Sequence, residues 1–180
     1  MSKPDDKIIS LESKRAELVE ADVLCYGHFS VLHPGHFRYL NHAAKQGARL
    51  SVLIKGDFFL KSSFTNEPQF SEKDRALSVA SLNVVDEVII QNETPLHVAI
   101  RIIHPKKLIL GKEFEEEQSD EMRMAIAVVK SWGGLVEFHA GETSFSVTKL
   151  TSETEKSESL IRRQLYRNAC KNHGITNDIL

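Results

Sequence analysis

Short apolar runs alternate with amphipathic stretches along most of the chain, and the spacing of apolar positions changes with each switch. Residues 22–26 form a compact apolar run ending at Gly27, the pattern of a buried strand feeding a tight turn. A helix follows over 34–47. Pro34 is tolerated in its first turn, Gly47 suits its end, and Phe37, Leu40 and Ala44 mark one face. Residues 50–54, 87–90, 108–110 and 135–138 read as four further strands. Between them, Ser71 caps a helix carrying Leu77, Ala80 and Leu82. Thr94-Pro95 opens another through Val98 and Ile102, which must end before Pro105. Ser119 caps a third with Met122, Ile126, Val129 and Trp132, closed by Gly133-Gly134. Five strands alternating with helices predict a doubly wound α/β fold, a five-stranded parallel sheet with helices on both faces.

The ends of the chain break this rhythm. The first seven residues read as disordered, and Ser10 caps a short leading helix over 11–19 with Leu11, Leu18 and Val19 inward. Residues 151–159 are polar and acidic. Over 160–171, Leu160, Ile161, Leu165 and Tyr166 oppose Arg162, Arg163, Arg167 and Lys171, an amphipathic basic helix that suits docking on its own domain or a second subunit. The expected organisation is a domain over 1–150, with its leading helix inside 1–21, and a helical extension over 151–180.

Composition narrows the class of function. At 180 residues and 41% hydrophobic, the chain is long enough for one self-sufficient core. Its 23 Lys+Arg against 25 Asp+Glu give a net charge of −2, which argues against nucleic acid as a partner. No apolar run approaches the ~18 residues of a membrane span, and the polar N-terminus lacks a signal core. Two cysteines, Cys25 and Cys170, exclude a disulfide scaffold, so a reduced, cytoplasmic location is expected.

The chemistry concentrates after the first strand, in Gly27-His28-Phe29-Ser30-Val31-Leu32-His33-Pro34-Gly35-His36. In an open parallel sheet, ligands bind beyond the carboxyl ends of the strands. Gly27 turns the chain off the strand, and Gly35 lets a ligand approach the start of a helix, where the dipole favours anions. His33 and His36 flank that start, and either imidazole can donate to a phosphate oxygen. The same spacing suits metal ligation, but the nearest third ligand, His28, is weakly placed, so no protein-held metal is expected.

His33-Pro34-Gly35-His36 and its flanks resemble the HxGH signature of the nucleotidyltransferase superfamily. The cytidylyltransferase-like branch is the nearest, with glycerol-3-phosphate cytidylyltransferase and the nucleotidyl domain of ADP-heptose synthase among its members. The similarity continues through Arg38-Tyr39-Leu40, Gly56-Asp57, Arg75-Ala76, Val85-Asp86-Glu87-Val88, Thr94-Pro95 and Gly111-Lys112-Glu113-Phe114. It closes at Ser146-Val147-Thr148-Lys149, similar to a Ser-Thr-Thr-Lys segment. The resemblance implies a Rossmann-like domain that transfers a nucleoside monophosphate from CTP or ATP to a small phosphorylated polyol or sugar, releasing pyrophosphate. It implies His33, His36 and Lys61 as catalytic residues. Gly27, His28, Phe29, Ser30, Gly35, Arg75, Gly111, Ser146 and Thr148 would hold the nucleotide, Arg75 as a clamp on triphosphate or ribose, and Asp57 the second substrate. Mg²⁺ would ride on the nucleotide phosphates, and a homodimer is expected. Where the branch usually carries aspartate and lysine, this chain has Ser30 and Leu110. These departures motivate the alternative of a non-catalytic nucleotide-binding module, or a weakened homologue acting with a partner enzyme.

Overall fold

A computed structural model of the chain describes residues 3–12, 21–63, 70–116 and 119–139. A 3-10 turn at Pro4–Lys7 leads into β1 (Ile8–Ser10), followed by β2 (Val23–Gly27), α1 (Pro34–Ala44), β3 (Leu50–Lys55), α2 (Asp57–Ser63) and α3 (Glu72–Ala80). Then come β4 (Glu87–Gln91), α4 (Leu96–Ile103), β5 (Lys107–Gly111), α5 (Glu113–Glu116), α6 (Asp120–Ser131) and β6 (Leu135–His139). The sheet has six strands in the order β1-β4-β3-β2-β5-β6, and every pairing is parallel.

The pleat of the central strands sorts the core into two layers. Leu24, Tyr26, Leu53, Ile89, Leu108 and Leu110 face Leu96, Ile100 and Ile103 of α4 and Met122, Ile126 and Val129 of α6. Val23, Cys25, Val52, Ile54, Val88 and Ile109 face Tyr39, Leu40 and Ala43 of α1 and Ala76 and Val79 of α3. Alternate residues on a strand point to opposite faces, so the central strands are apolar along most of their length, with Ser51, Glu87 and Gln91 the buried polar positions of β3 and β4. That is why these segments read as continuous runs. Leu110 is wholly buried.

The predicted caps are in place. Ser71 Oγ accepts from Asp74 N–H at 3.2 Å, and Ser119 Oγ accepts from Met122 N–H at 3.2 Å. Gly133 leaves α6 at φ 81°.

The sheet has one strand more than the expected five, and the N-terminal reading is corrected with it. β1 aligns Ile8 with Val88 and Ser10 with Ile90, and Lys7 Nζ donates to the Val85 carbonyl at 2.7 Å. Ser10 ends a strand and donates to Asn92 Oδ1 at 2.8 Å. Leu11 and Glu12, expected to open the leading helix, form a turn, and the rest of that expected helix lies outside the described residues. Three residues at a sheet edge are too few to show a period, so the strand was invisible in the pattern. The extension over 151–180 also lies outside the described residues, among which no helix is long and apolar enough to cross a membrane.

Glu12 ties this N-terminal piece to the sheet. Its Oε1 accepts from Thr94 Oγ1 at 2.8 Å and from the backbone N–H groups of Glu93 and Thr94, each at 3.1 Å. Burial alone would raise its carboxyl, but these donors outweigh it and hold the group below the ordinary glutamate range. Glu12→Ala should therefore destabilise the protein by about 1 kcal/mol, roughly 2–4 °C in melting midpoint, after discounting for solvent screening. A depressed carboxyl stabilises above its unfolded pKa and loses that contribution as pH falls through the folded one. Melting curves for the two proteins should thus differ at pH 7 and draw together as pH falls below the ordinary glutamate range.

Candidate active site

Successive strands run from β2 through β3 to β4 on one side, and from β5 to β6 on the other. Order therefore reverses between β2 and β5, and the crevice beyond their carboxyl ends is the place where such folds bind ligands. The loop leaving β2 and the start of α1 form one wall, and Gly111 with α5 the other. Tyr39 fixes the register of these walls. Its buried hydroxyl donates to the Ile109 carbonyl at 2.6 Å, pinning α1 to β5.

At Gly27 the chain turns so tightly that an added Cβ would lie 2.9 Å from the Phe29 ring. Phe29 itself takes a left-handed backbone, φ 49°, while its side chain is buried. For a bulky residue this conformation costs about 1–3 kcal/mol and persists only when surrounding contacts enforce it. The ring lies 5.0 Å from that of His36.

His33 caps α1, its Nδ1 accepting from Gly35 N–H at 3.1 Å. An accepting Nδ1 leaves the proton on Nε2, so the neutral ring keeps a donor free for an anion. Because Pro34 has no N–H and Gly35 N–H is taken by this cap, two of the amides expected to bind an anion are unavailable, and the imidazoles become the natural donors. The His33 and His36 rings stack at 3.9 Å with 27° between their planes. Burial, then the neighbouring His33, pushes His36 down to about 4. Burial and Arg38 lower His33 as well, partly opposed by Glu113. Burial, then Lys55 and Arg75, pushes His28 down to about 4. All three rings are neutral at pH 7.

Arg75 is only 1% exposed. One guanidinium nitrogen donates to the His28 carbonyl, and the other to Asp57 Oδ1 at 2.7 Å. Each terminal guanidinium nitrogen thus makes one hydrogen bond inside the protein, while the buried Nε makes none. Asp57 begins α2, accepts from Glu72 N–H at 3.1 Å, and gives its own N–H to Glu72 Oε2 at 2.8 Å. Ser30 lines a pocket of about 200 Å³ with Phe29, Val31, Leu32, Phe70, Arg75 and Ser78. Lys61 is on α2 with its side chain outside the described residues, as are Ser146 and Thr148 entirely.

The geometry thus brings together Gly27, His28, Phe29, Ser30, His33, Gly35 and His36 at one loop, with Gly111 ending the neighbouring strand β5 and Arg75 and Asp57 joined to the loop through the His28 carbonyl. Sequence reasoning gave no role to two charged neighbours. Glu113 folds its carboxylate over Gly111, where both oxygens would sit 2.3 Å from an added Cβ. Lys55 ends β3 beside His28. Lys55 is the last residue of β3 and Glu113 lies two past the end of β5, positions at the strands' carboxyl ends that could have singled them out.

Fold and loop together define a Rossmann-like domain with a pair of stacked imidazoles at its strand-order reversal. The model of the cytidylyltransferase-like family matches residues 24–164, and the chain belongs to that family, within the nucleotidyltransferase superfamily. It is 33% identical over 141 residues to a D-beta-D-heptose 1-phosphate adenylyltransferase of Bordetella bronchiseptica, covering 72% of this chain and 82% of that one. It is 36% identical over 89 residues to an FAD synthase of Methanohalobium evestigatum, covering 49% of this chain and 58% of the relative. A bifunctional protein HldE of Methylobacillus flagellatus is 34% identical over 139 residues, 73% of this chain but 28% of that longer protein. Among solved structures, a lipopolysaccharide core biosynthesis protein from Thermoplasma volcanium is 25% identical with a TM-score of 0.55, over 67% of this chain and 97% of that one.

The depressed imidazoles carry a sign. Each is protonated more readily in the unfolded chain, so stability should fall as pH drops from about 6.5 toward 4. NMR titration should find the His36 and His28 ring signals moving near pH 4, with the melting midpoint already lower at pH 5 than at pH 7. Titration of either ring at its ordinary value would contradict the burial described.

Proposed function

We propose that the chain transfers a nucleoside monophosphate from ATP or CTP to the phosphate of a small phosphorylated sugar or polyol, releasing pyrophosphate. The observation that supports this best is the stacked, neutral His33–His36 pair at the tip of α1 in the strand-reversal crevice. A sugar phosphate as acceptor is favoured by the name of the Bordetella relative.

In the reaction, an acceptor phosphate oxygen bonds to the α-phosphorus as the bond to the bridging oxygen breaks. Pyrophosphate leaves with that electron pair. An acceptor phosphate that is already ionised needs no general base, so the protein's task is positioning and charge stabilisation. The Nε2–H of His33 donates to a phosphate oxygen. His36, held against His33 and Phe29, meets the charge that builds as the phosphorus becomes five-coordinate, and gains a proton more easily as negative charge accumulates. Mg²⁺ enters with the nucleotide as part of the substrate. Both carboxylate oxygens of Asp57 are occupied by Arg75 and Glu72, which disfavours an all-protein metal cage.

Pyrophosphate release should be seen with Mg²⁺, a phosphorylated sugar or polyol, and one of the two nucleotides in clear preference. His36→Ala should lower kcat by about 10²–10³ with the fold intact by circular dichroism, the scale of losing one preorganised donor. His33→Ala should add a capping loss of about 1 kcal/mol in stability. Near-normal turnover in His36→Ala, or no turnover by the wild type on a broad panel of phosphorylated acceptors, would refute the assignment.

A further inference from the structure

We propose that Arg75 is a positioning residue: by gripping the His28 carbonyl and Asp57 it holds Phe29 in its left-handed backbone, and through the Phe29 ring it sets His36 against His33. The proposal rests on the reading of those two histidines as the phosphate-handling pair. It gives Arg75 a different task from a contact with nucleotide.

The peptide plane that carries the His28 carbonyl is the plane about which the φ of Phe29 turns. A donor fixed on that oxygen therefore fixes one side of the strained torsion. The donor must itself be immobile, and Arg75 is. It is 1% exposed, it belongs to the buried side of α3 with Ala76, Val79 and Ala80, and its second nitrogen is held 2.7 Å from Asp57 Oδ1. Asp57 is braced in turn, since its other oxygen accepts from Glu72 N–H while its own N–H binds Glu72 Oε2. Glu72 Oε1 accepts from Asn92 at 3.0 Å, so the brace ends on the loop after β4.

On the far side, the restrained Phe29 packs its ring 5.0 Å from His36, which stacks at 3.9 Å on His33. A continuous series of contacts thus joins the α2–α3 junction to the imidazole pair. A planar guanidinium can satisfy two acceptors at a fixed angle, whereas an ammonium is a single point donor, so lysine would not replace it.

Two variants test this, Arg75→Met and Arg75→Lys, read by amide hydrogen exchange and by NMR titration of His36 well below the melting temperature. Exchange at Phe29 and Ser30 should accelerate at least 10-fold in Arg75→Met and less in Arg75→Lys, while amides of β2 and β3 keep wild-type rates. The His36 titration should move up from about 4 toward the ordinary histidine value as the Phe29 cover loosens. Where pyrophosphate release is measured, kcat should fall more than 10-fold in Arg75→Met, with partial recovery in Arg75→Lys.

Wild-type exchange at Phe29 and Ser30 in both variants would overturn the proposal. So would acceleration spread evenly over the sheet, which marks a structural role only. Weaker binding of Mg-ATP or Mg-CTP with an unaltered loop would overturn it in favour of direct nucleotide contact. If neither variant folds, Asp57→Asn decides. It keeps a cap on α3 but weakens the hold on Arg75, and should give the same local exchange effect in smaller measure. Exchange and titration do not depend on turnover, so a wild-type protein that releases no pyrophosphate would sink the transferase reading and leave this test standing.

Discussion

The site exists because β2 pairs in parallel with two strands that the chain reaches in opposite directions. A right-handed crossover carries the chain from β2 to β3 over one face, and the return from β4 to β5 runs over the other. No crossover then covers the carboxyl ends of β2 and β5, and the backbone opens there of necessity. The segments around that opening follow from it. The β2 end needs a sharp turn, α1 must start beside it, and the β5 end needs a small residue. Gly27, His33-Pro34-Gly35 and Gly111 answer those needs in order.

Within the opening, the choice of imidazole over lysine at α1 has an electrostatic logic. The neighbourhood already holds Arg38, Lys55 and Arg75, and further permanent cations would repel one another in the free protein. Neutral rings avoid that cost and still offer donors. Their charge can appear when a polyanion arrives to compensate it. The same economy explains the His33 cap: one side chain finishes the helix with one nitrogen and faces the crevice with the other.

Much of this was legible in the residues. Strands buried on both faces announce themselves as apolar runs, and Ser71 and Ser119 marked helix starts by side-chain chemistry alone. The paired histidines at a strand-to-helix corner pointed to the candidate site, where their rings do come together. What escaped is informative. β1 is too short to carry a period, and it is held by partners more than seventy residues away, such as Val85 and Asn92. Arg75 was expected to clamp nucleotide, and its bonds to His28 and Asp57 were not legible, because nothing local tells that those two residues come to meet it. Glu113 was quoted in a motif without a role, since its folding back over Gly111 is a matter of rotamer.

Cys25 occupies the strand directly beneath this loop, fully enclosed, with burial pushing its thiol up to about 12. Thiolate is therefore almost absent at neutral pH, and oxidants find little to attack while β2 stays seated. Alkylation there can proceed only at the pace at which the central strand breathes. The molecule thus contains a natural clock: the rate of labelling at that sulfur reports how often the floor of the crevice opens.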